Sequence, residues 1–196
     1  MAHMKPLPAE SSPGLMDDFK IFENILGFVP NSLLTMQRRP NMVKAFGELT
    51  RAVMDPEGAV DLGLMRLSAH FSSRAAGCQY CEAHSLVAAK IHHVPQDKLD
   101  AIWEYQTSPL YSDAERAALD FAMAAGSVPN AVDASLFERL GEYWSEDQIV
   151  QILGAVCLYG FLNRWNDSMA TDLEESPREM GERVLAQGGW TGGKHG

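Results

Sequence analysis

The chain has few basic residues and no long apolar run. Lysine and arginine number 16 against 26 acidic residues, which leaves a net charge of −10. A nucleic-acid-binding protein needs basic surface to displace counterions, so this balance argues against a nucleic-acid partner. A membrane span needs roughly 18 consecutive apolar residues, and the longest apolar stretch, 149–162, is shorter and contains Gln151. We therefore expect no nucleic-acid partner and no membrane span.

Cysteine is also scarce. The chain has three cysteines, an odd number that is too small for the disulfide framework of a small secreted domain. The first residues are not followed by the apolar segment of a secretory signal. We therefore expect a cytoplasmic protein, in which a Cys-x-x-Cys pair is more often redox-active or metal-binding than a structural disulfide.

The sequence also lacks the residue patterns of β-strands, whereas residues that typically begin or end helices are frequent. Asp61 precedes an amphipathic run, and Ser112 and Ser145 each stand three residues before a Glu or Gln, as in a capping box. Gly77 suits the end of the helix that Asp61 begins. The sequence predicts an all-α fold, a compact bundle of eight to ten helices without a sheet.

The two ends of the chain differ in composition from the rest. Residues 5–14 are rich in Pro, Ser and Gly, and residues 188–196 are mostly glycine. Such segments bury little apolar surface. We predict a flexible arm over residues 1–14, one helical domain over 15–187 and a flexible tail over 188–196. The role of Trp190 in that tail is not readable from the sequence.

The segment that carries chemistry is Cys78-Gln79-Tyr80-Cys81-Glu82-Ala83-His84. A helix that begins near Cys78 places Cys78 and Cys81 on one face, at a separation that a disulfide tolerates. The first helical turn presents unpaired N–H groups and a partial positive charge, which favour a thiolate. His84 lies in phase with Cys81 and can exchange its proton, and Ser85 can donate a hydrogen bond to the Cys81 sulfur.

The helix before the motif has apolar residues on two faces with a polar stripe between them. Arg66 and His70 lie on this stripe. Two interpretations explain this stripe equally well. In the first, His70 is a core histidine with its hydrogen bonds satisfied and Arg66 forms a salt bridge. In the second, the stripe is a proton relay for the dithiol. Cys157, inside the apolar run, is expected to be a buried and inert core residue.

Two other readings of the motif stay open. Cys78 and Cys81 can be two buried thiols without chemistry. Cys78, Cys81 and His84 can also supply three zinc ligands, but structural zinc needs a fourth and the sequence has no second ligand pair at the usual spacing. We therefore expect no bound metal ion and no cofactor.

Residues 67–84, LSAHFSSRAAGCQYCEAH, resemble the core of the alkylhydroperoxidase D-like / carboxymuconolactone decarboxylase family, and more narrowly its peroxidase-related subgroup. The resemblance extends to residues 27–31 with Pro40, to 112–125 and to 144–167. It covers most of the chain, from about residue 16 to 175.

The resemblance implies an all-helical fold that assembles into trimers or hexamers. It also implies that Cys81 attacks a small hydroperoxide and that Cys78 resolves the sulfenic acid into a disulfide, which suits the chemistry of cysteine oxidation. The reductant would be a dithiol or a lipoyl group on a partner protein. Two positions depart from the family pattern: Arg66 replaces a relay glutamate, and Ser85 stands where the histidine usually falls.

These observations predict a thiol-dependent peroxidase or dithiol–disulfide oxidoreductase. The catalytic set would be Cys81, Cys78, His84 and His70, with Arg66 and Ser85 in support. Since an arginine cannot act as a base, His70 and His84 would take over the relay, or peroxidase turnover would be weak. The alternatives are a carboxymuconolactone decarboxylase-like enzyme and a non-enzymatic redox-sensing or zinc-binding helical oligomer.

Overall fold

A computed structural model describes residues 2–196 of the chain as an array of helices. No strand occurs within this range, so the predicted all-α fold is confirmed. The ten α-helices are α1 (Met16–Leu26), α2 (Asn31–Met36), α3 (Pro40–Val53), α4 (Leu62–Ala76), α5 (Gln79–Ile91), α6 (Gln96–Asp100), α7 (Asp113–Gly126), α8 (Ala134–Gly141), α9 (Glu146–Met169) and α10 (Glu175–Met180).

The helix ends follow from the capping residues. The Asp61 carboxylate accepts a hydrogen bond from the Leu64 N–H at the start of α4. Ser112 and Ser145 each form a complete capping box, which begins α7 and α9. Gly77 ends α4 with φ +74°, a left-handed conformation in which a residue with Cβ is strained. The chain can therefore turn sharply from α4 into α5.

Helix α4 lies at the centre of the molecule and packs against α5, α7 and α9. Apolar residues on both of its faces are buried, among them Met65, Leu67 and Phe71. Helices also cover much of the stripe between these faces, so His70 is fully buried and Arg66 is partly buried. Helix α4 therefore fixes the position of α5 from within the core. No helix within residues 2–196 is long and apolar enough to cross a membrane.

The prediction that Cys157 is buried was wrong. Cys157 is exposed, and it lies on one face of α9 with Val150, Leu153 and Phe161, which are 69%, 38% and 41% exposed. The sequence of α9 is apolar nearly all round, so its pattern did not show which face packs on the core.

Both terminal segments that were predicted to be flexible pack on the helical body in this structure. The Leu7 N–H donates to the Leu34 carbonyl, while Met1 lies outside the described residues. In the tail, Trp190 is buried and its Nε1 donates to the Gln79 carbonyl at 3.0 Å. The Trp190 ring occupies the space that a Cβ on Gly181 would need. These contacts join residues that are far apart in the sequence, so the composition of the segments gave no sign of them.

Candidate functional site

The turn between α4 and α5 places the two motif cysteines. Cys78 is the residue before α5, in an extended conformation, and its N–H donates to the Ser73 carbonyl at 3.0 Å. Cys81 lies in the first turn of α5, as predicted. No disulfide joins the two cysteines, and both side chains are almost completely buried, with exposed fractions of 0% for Cys78 and 1% for Cys81.

A pocket of about 260 Å³ reaches Cys81 but not Cys78. Most of the pocket wall is apolar or aromatic, and its few polar groups come from α2, α3, α4, α5 and α9. The lining residues include Phe22, Phe46, Arg51, Arg66, Tyr80, Cys81, His84, Ala88, His92, Tyr159 and Asn166. A small, largely apolar molecule can therefore reach the sulfur of Cys81 and not that of Cys78.

The electrostatics of Cys81 differ from the prediction of a helix-stabilised thiolate. Burial raises the pKa of Cys81 well above its usual value, and the neighbouring Cys78 thiol raises it further. Asn166 opposes this by donating from Nδ2 to the Cys81 sulfur at 3.4 Å. Since desolvation outweighs the donors at the helix start, Cys81 rests as a thiol and needs a base or a bound substrate to ionise.

His84 lies in the pocket wall but has a different partner from the one predicted. Its Nε2 lies 2.6 Å from Glu174 Oε2, and its ring stacks on Tyr80 with centroids 4.1 Å apart. The Tyr80 hydroxyl donates to the other Glu174 oxygen at 3.0 Å, and the Asn31 N–H donates to the same oxygen at 2.6 Å. Glu174 therefore orients the imidazole of His84 in the wall of the pocket that Cys81 also lines.

The Glu174 carboxylate is ionised in this network. Burial alone would raise its pKa, but the charge of His84 and the hydrogen bonds from His84 and Asn31 outweigh burial, so the pKa is lowered. A carboxylate on one ring nitrogen fixes the tautomer of a histidine and increases the basicity of the other nitrogen. The pair resembles the base-and-orienter arrangement of nucleophilic enzymes.

His70 and Ser85 lie on the other side of α5, away from the pocket. His70 Nδ1 lies 3.1 Å from the Glu82 carbonyl oxygen, and the Ser85 hydroxyl donates to the same oxygen at 2.8 Å. Burial lowers the pKa of His70 to about 4, so the ring is neutral. The predicted hydrogen bond from Ser85 to the Cys81 sulfur is therefore replaced by one to the backbone.

Glu82 also belongs to this buried side. Its side chain is 7% exposed, and burial raises its pKa to about 7, although the charge of Arg74 acts in the opposite direction. Its charge also raises the pKa of Cys81. Glu82 directly follows Cys81 in the motif, and an acidic residue at that position was the signal that could have identified it as part of the site.

Arg66 lines the pocket, as a side chain of α4. Its Nη1 donates to the Tyr159 hydroxyl at 3.3 Å, and its Nε is buried without a partner. The salt-bridged core arginine considered from the sequence is not what the structure contains, because none of the ion pairs among residues 2–196 involves Arg66.

Three residues of the site were missed from the sequence. Glu174 and Asn166 lie about ninety residues after the motif in the chain, and no spacing rule connects them to it. Tyr80 was assigned to packing, which its burial agrees with, but its hydroxyl also holds Glu174. Within residues 2–196, no three His, Cys, Asp or Glu side chains are grouped so that they could hold a metal ion.

Comparison with known proteins adds to this geometry. Residues 40–124 match the model of the carboxymuconolactone decarboxylase family. The uncharacterised protein YnjA of Escherichia coli K12 is 30% identical over 92 residues, which cover 47% of this chain and half the length of YnjA.

Solved structures match over nearly the whole chain. Two structures of the debrominase Bmp8, one of them a cysteine-to-alanine variant in complex with 2,3,4-tribromopyrrole, are 38% identical with a TM-score of 0.87. The match to the variant covers 92% of this chain and 96% of that chain. A peroxidase-related protein from Ralstonia eutropha JMP134, described as an alkylhydroperoxidase AhpD core, is 24% identical over 91% and 95% of the chains, with a TM-score of 0.77.

The resemblance seen in the sequence is thus confirmed by the family match and by the fold. The helical pair that carries Cys78 and Cys81 lies inside the matched range. The chain belongs to the carboxymuconolactone decarboxylase family and has the alkylhydroperoxidase D-like fold.

Proposed function

We propose that this protein is a dithiol-dependent oxidoreductase in which Cys81 attacks a small, largely apolar electrophile and Cys78 resolves the product. The observation that carries this proposal is that Cys81 alone of the pair lines the pocket, while Cys78 lies buried beside it. The 38% identity to a debrominase over nearly the whole chain supports an enzymatic role.

An organic hydroperoxide is the first substrate class. The Cys81 sulfur attacks the terminal peroxide oxygen, the O–O bond breaks, and the alcohol leaves with a proton while Cys81 becomes a sulfenic acid. The Cys78 sulfur then attacks Cys81, which forms the disulfide and releases water. A dithiol, either free or a lipoyl group on a partner protein, reduces the disulfide through thiol–disulfide exchange. A reducing, cytoplasmic setting suits this cycle.

In this scheme, His84 is the general base and acid. Burial keeps Cys81 protonated, so its proton must leave before or during the attack. His84 faces the same pocket and is oriented by Glu174, so its neutral form is suited to take that proton and return it to the leaving oxygen. We assign His70 and Ser85 to positioning, since both hold the Glu82 carbonyl within α5.

Reductive dehalogenation of a small aromatic is the second candidate. It is favoured by the aromatic wall of the pocket and by the 38% identity to the debrominase. In this reaction the Cys81 sulfur attacks bromine, the C–Br bond breaks and the carbon takes a proton. Cys78 then displaces bromide to form the disulfide. The balance is one aryl bromide and two thiols giving the arene, a disulfide and hydrogen bromide, so the same external dithiol is required.

Turnover assays with two substrates distinguish these reactions. Reduced protein with excess dihydrolipoamide is given cumene hydroperoxide, with the alcohol as readout, or a brominated pyrrole, with bromide as readout. We expect turnover of at least one substrate, and its loss in Cys81→Ser. The matched control is Cys157→Ser, which removes the exposed third cysteine and should keep wild-type activity. Turnover that survives Cys81→Ser would overturn the proposal.

We also propose that the protein forms a homo-oligomer, a trimer or hexamer, through the exposed apolar face of α9. Val150, Leu153, Cys157 and Phe161 form this face, which a second copy of the chain can cover. Light scattering should give a mass above that of one chain, and Val150→Glu should lower it. A monodisperse wild-type monomer would contradict this.

A further inference from the structure

The pocket that Cys81 lines also holds a cation without an ion-pair partner among residues 2–196. Arg66 reaches the pocket from the core helix α4, and its only side-chain hydrogen bond goes to the neutral Tyr159 hydroxyl. Its buried Nε has no acceptor. Arg66 is partly buried, and the desolvation of its charge is not offset by an opposite charge.

Two further residues join Arg66 there. His92 lines the same part of the pocket, and its buried Nε2 has no hydrogen-bond partner. Burial and the charge of Arg66 lower the pKa of His92, which agrees with the two side chains lining one pocket. Arg51, at the end of α3, also lines the pocket and forms no ion pair among residues 2–196.

Nearby carboxylates do not neutralise this cluster. Asp61 is the acidic group that acts on His92, but its Oδ1 is engaged as the cap of α4 through the Leu64 N–H. No carboxylate oxygen lies within ion-pair distance of Arg66 or Arg51 within the described residues. The pocket therefore has a positive end that the protein itself leaves uncompensated.

The reactive end and the positive end lie along one helix. Cys81, Ala88 and His92 all contribute to the pocket wall from α5 and its C-terminal cap. At a rise of about 1.5 Å per residue, Cys81 and His92 are separated by roughly 16 Å along the helix axis. Phe22 and Phe46, whose rings stack with centroids 6.2 Å apart, line the pocket as apolar wall.

We propose that the substrate carries an anionic group, of the carboxylate class, which Arg66 binds while the apolar body lies against Phe22 and Phe46 and the reactive atom meets Cys81. The guanidinium of Arg66 can donate two parallel hydrogen bonds to the two oxygens of a carboxylate. His92 adds a further donor, and Arg51 adds a positive charge. This rests on the proposed function for the position of the reactive atom, but the binding of the anion does not depend on any turnover.

A binding experiment on the reduced protein tests this subsite without chemistry. Calorimetric titration compares 4-phenylbutanoate with its neutral isostere 4-phenylbutanamide. We expect the anion to bind about tenfold more tightly, as a charge-assisted hydrogen bond in a partly buried site provides. The preference should vanish in Arg66→Met, which keeps the length of the apolar stem, and should persist in part in Arg66→Lys.

The control is Arg164→Met, which removes an exposed arginine of α9 outside the pocket and should keep the full preference. Circular dichroism checks that each variant is folded, and Arg66→Lys serves if Arg66→Met is not. Equal affinities in the wild type, no measurable binding of the anion, or a preference that falls equally in Arg164→Met overturns the subsite. An anion preference without turnover of any substrate would instead reject the proposed function and leave the subsite standing.

Discussion

The two sides of helix α5 have different environments, because one side faces the pocket and the other packs on helix α4. On the pocket side, Cys81 and His84 meet a cavity, and His84 is paired with an ionised glutamate. On the buried side, Cys78 is sealed, His70 is neutral, and Glu82 has its pKa raised to about 7. The pocket side can meet a substrate, and the buried side can only support it.

This difference shows that the order of the two cysteines in a dithiol site is set by access. Both thiols are buried, so exposure to bulk solvent does not separate them. Access to the pocket does separate them, because Cys81 lines the pocket and Cys78 does not. The same distinction applies to the two acidic groups: Glu174 receives three hydrogen bonds, whereas Glu82 has only the distant charge of Arg74 to oppose its burial.

The largest expected effect separates the two cysteines. Cys78→Ser should lose steady-state turnover by about a hundredfold or more, because the oxidised Cys81 is no longer resolved. It should still release close to one equivalent of product in a single turnover, since the attacking thiol is intact. Rapid-quench measurement of the product per protein checks this.

Cys81→Ser provides the matched comparison, and it should give no such first turnover. Equal bursts from the two variants would mean that both thiols reach the substrate, and the contrast between the two sides of α5 would fail.

The next effect concerns Glu82 and stability. Its folded-state pKa of about 7 lies above its ordinary value of 4.5, so the unfolded chain loses this proton first as the pH rises. Folding is therefore penalised progressively between about pH 4.5 and 7, and fully above that range. The shift corresponds to about 3 kcal/mol. Glu82→Gln should gain stability relative to wild type by up to that amount between pH 4.5 and 8, measured by urea unfolding.

An exposed glutamate of α8 supplies the control for this series. Glu138→Gln should show no pH-dependent gain, because Glu138 is not buried. A Glu82→Gln variant that tracks the wild type at both pH values would show that Glu82 is ionised without penalty.

The smallest effect is expected at Glu174, with the opposite sign. Its pKa is lowered in the folded state, so its stabilisation is present above its ordinary value of 4.5 and is lost as the pH falls through the folded value. Glu174→Gln should destabilise the protein by about 1–2 kcal/mol at pH 7, because charged hydrogen bonds become neutral ones. The difference from wild type should shrink by pH 3, again in urea unfolding.

Glu175→Gln, at the neighbouring exposed position, is the control and should leave stability nearly unchanged at both pH values. If Glu174→Gln behaved like this control, the His84–Glu174 pair would add nothing to the folded state.

Much of the fold was predictable because it depends on local signals. Ser112, Ser145 and Asp61 cap helices as their sequence context indicates, and Gly77 breaks the chain between α4 and α5. These features act through residues three or four positions apart, a range that the sequence records directly. The positions of Cys78 and Cys81 at the start of α5 follow from the same signals.

The site was only partly predictable, because its chemistry depends on distant neighbours. Cys157 was placed in the core since α9 is apolar on every face, and only the packing of α9 against its neighbours leaves that side exposed. Trp190 lies in the segment that we predicted as a flexible tail, but in the structure its ring packs against Gly181 and its Nε1 donates to the Gln79 carbonyl. Neither outcome has a signal within a few residues of the side chain concerned.

The sequence by itself determined the helices, the turn at Gly77 and the dithiol that follows it, because hydrogen bonds between near neighbours specify them. Only the tertiary structure decided that Cys81 meets the pocket, that Glu174 pairs with His84, and that Arg66 remains without a carboxylate. Desolvation and charge pairing set the reactivity of these groups, and both depend on which parts of the chain pack around them in three dimensions.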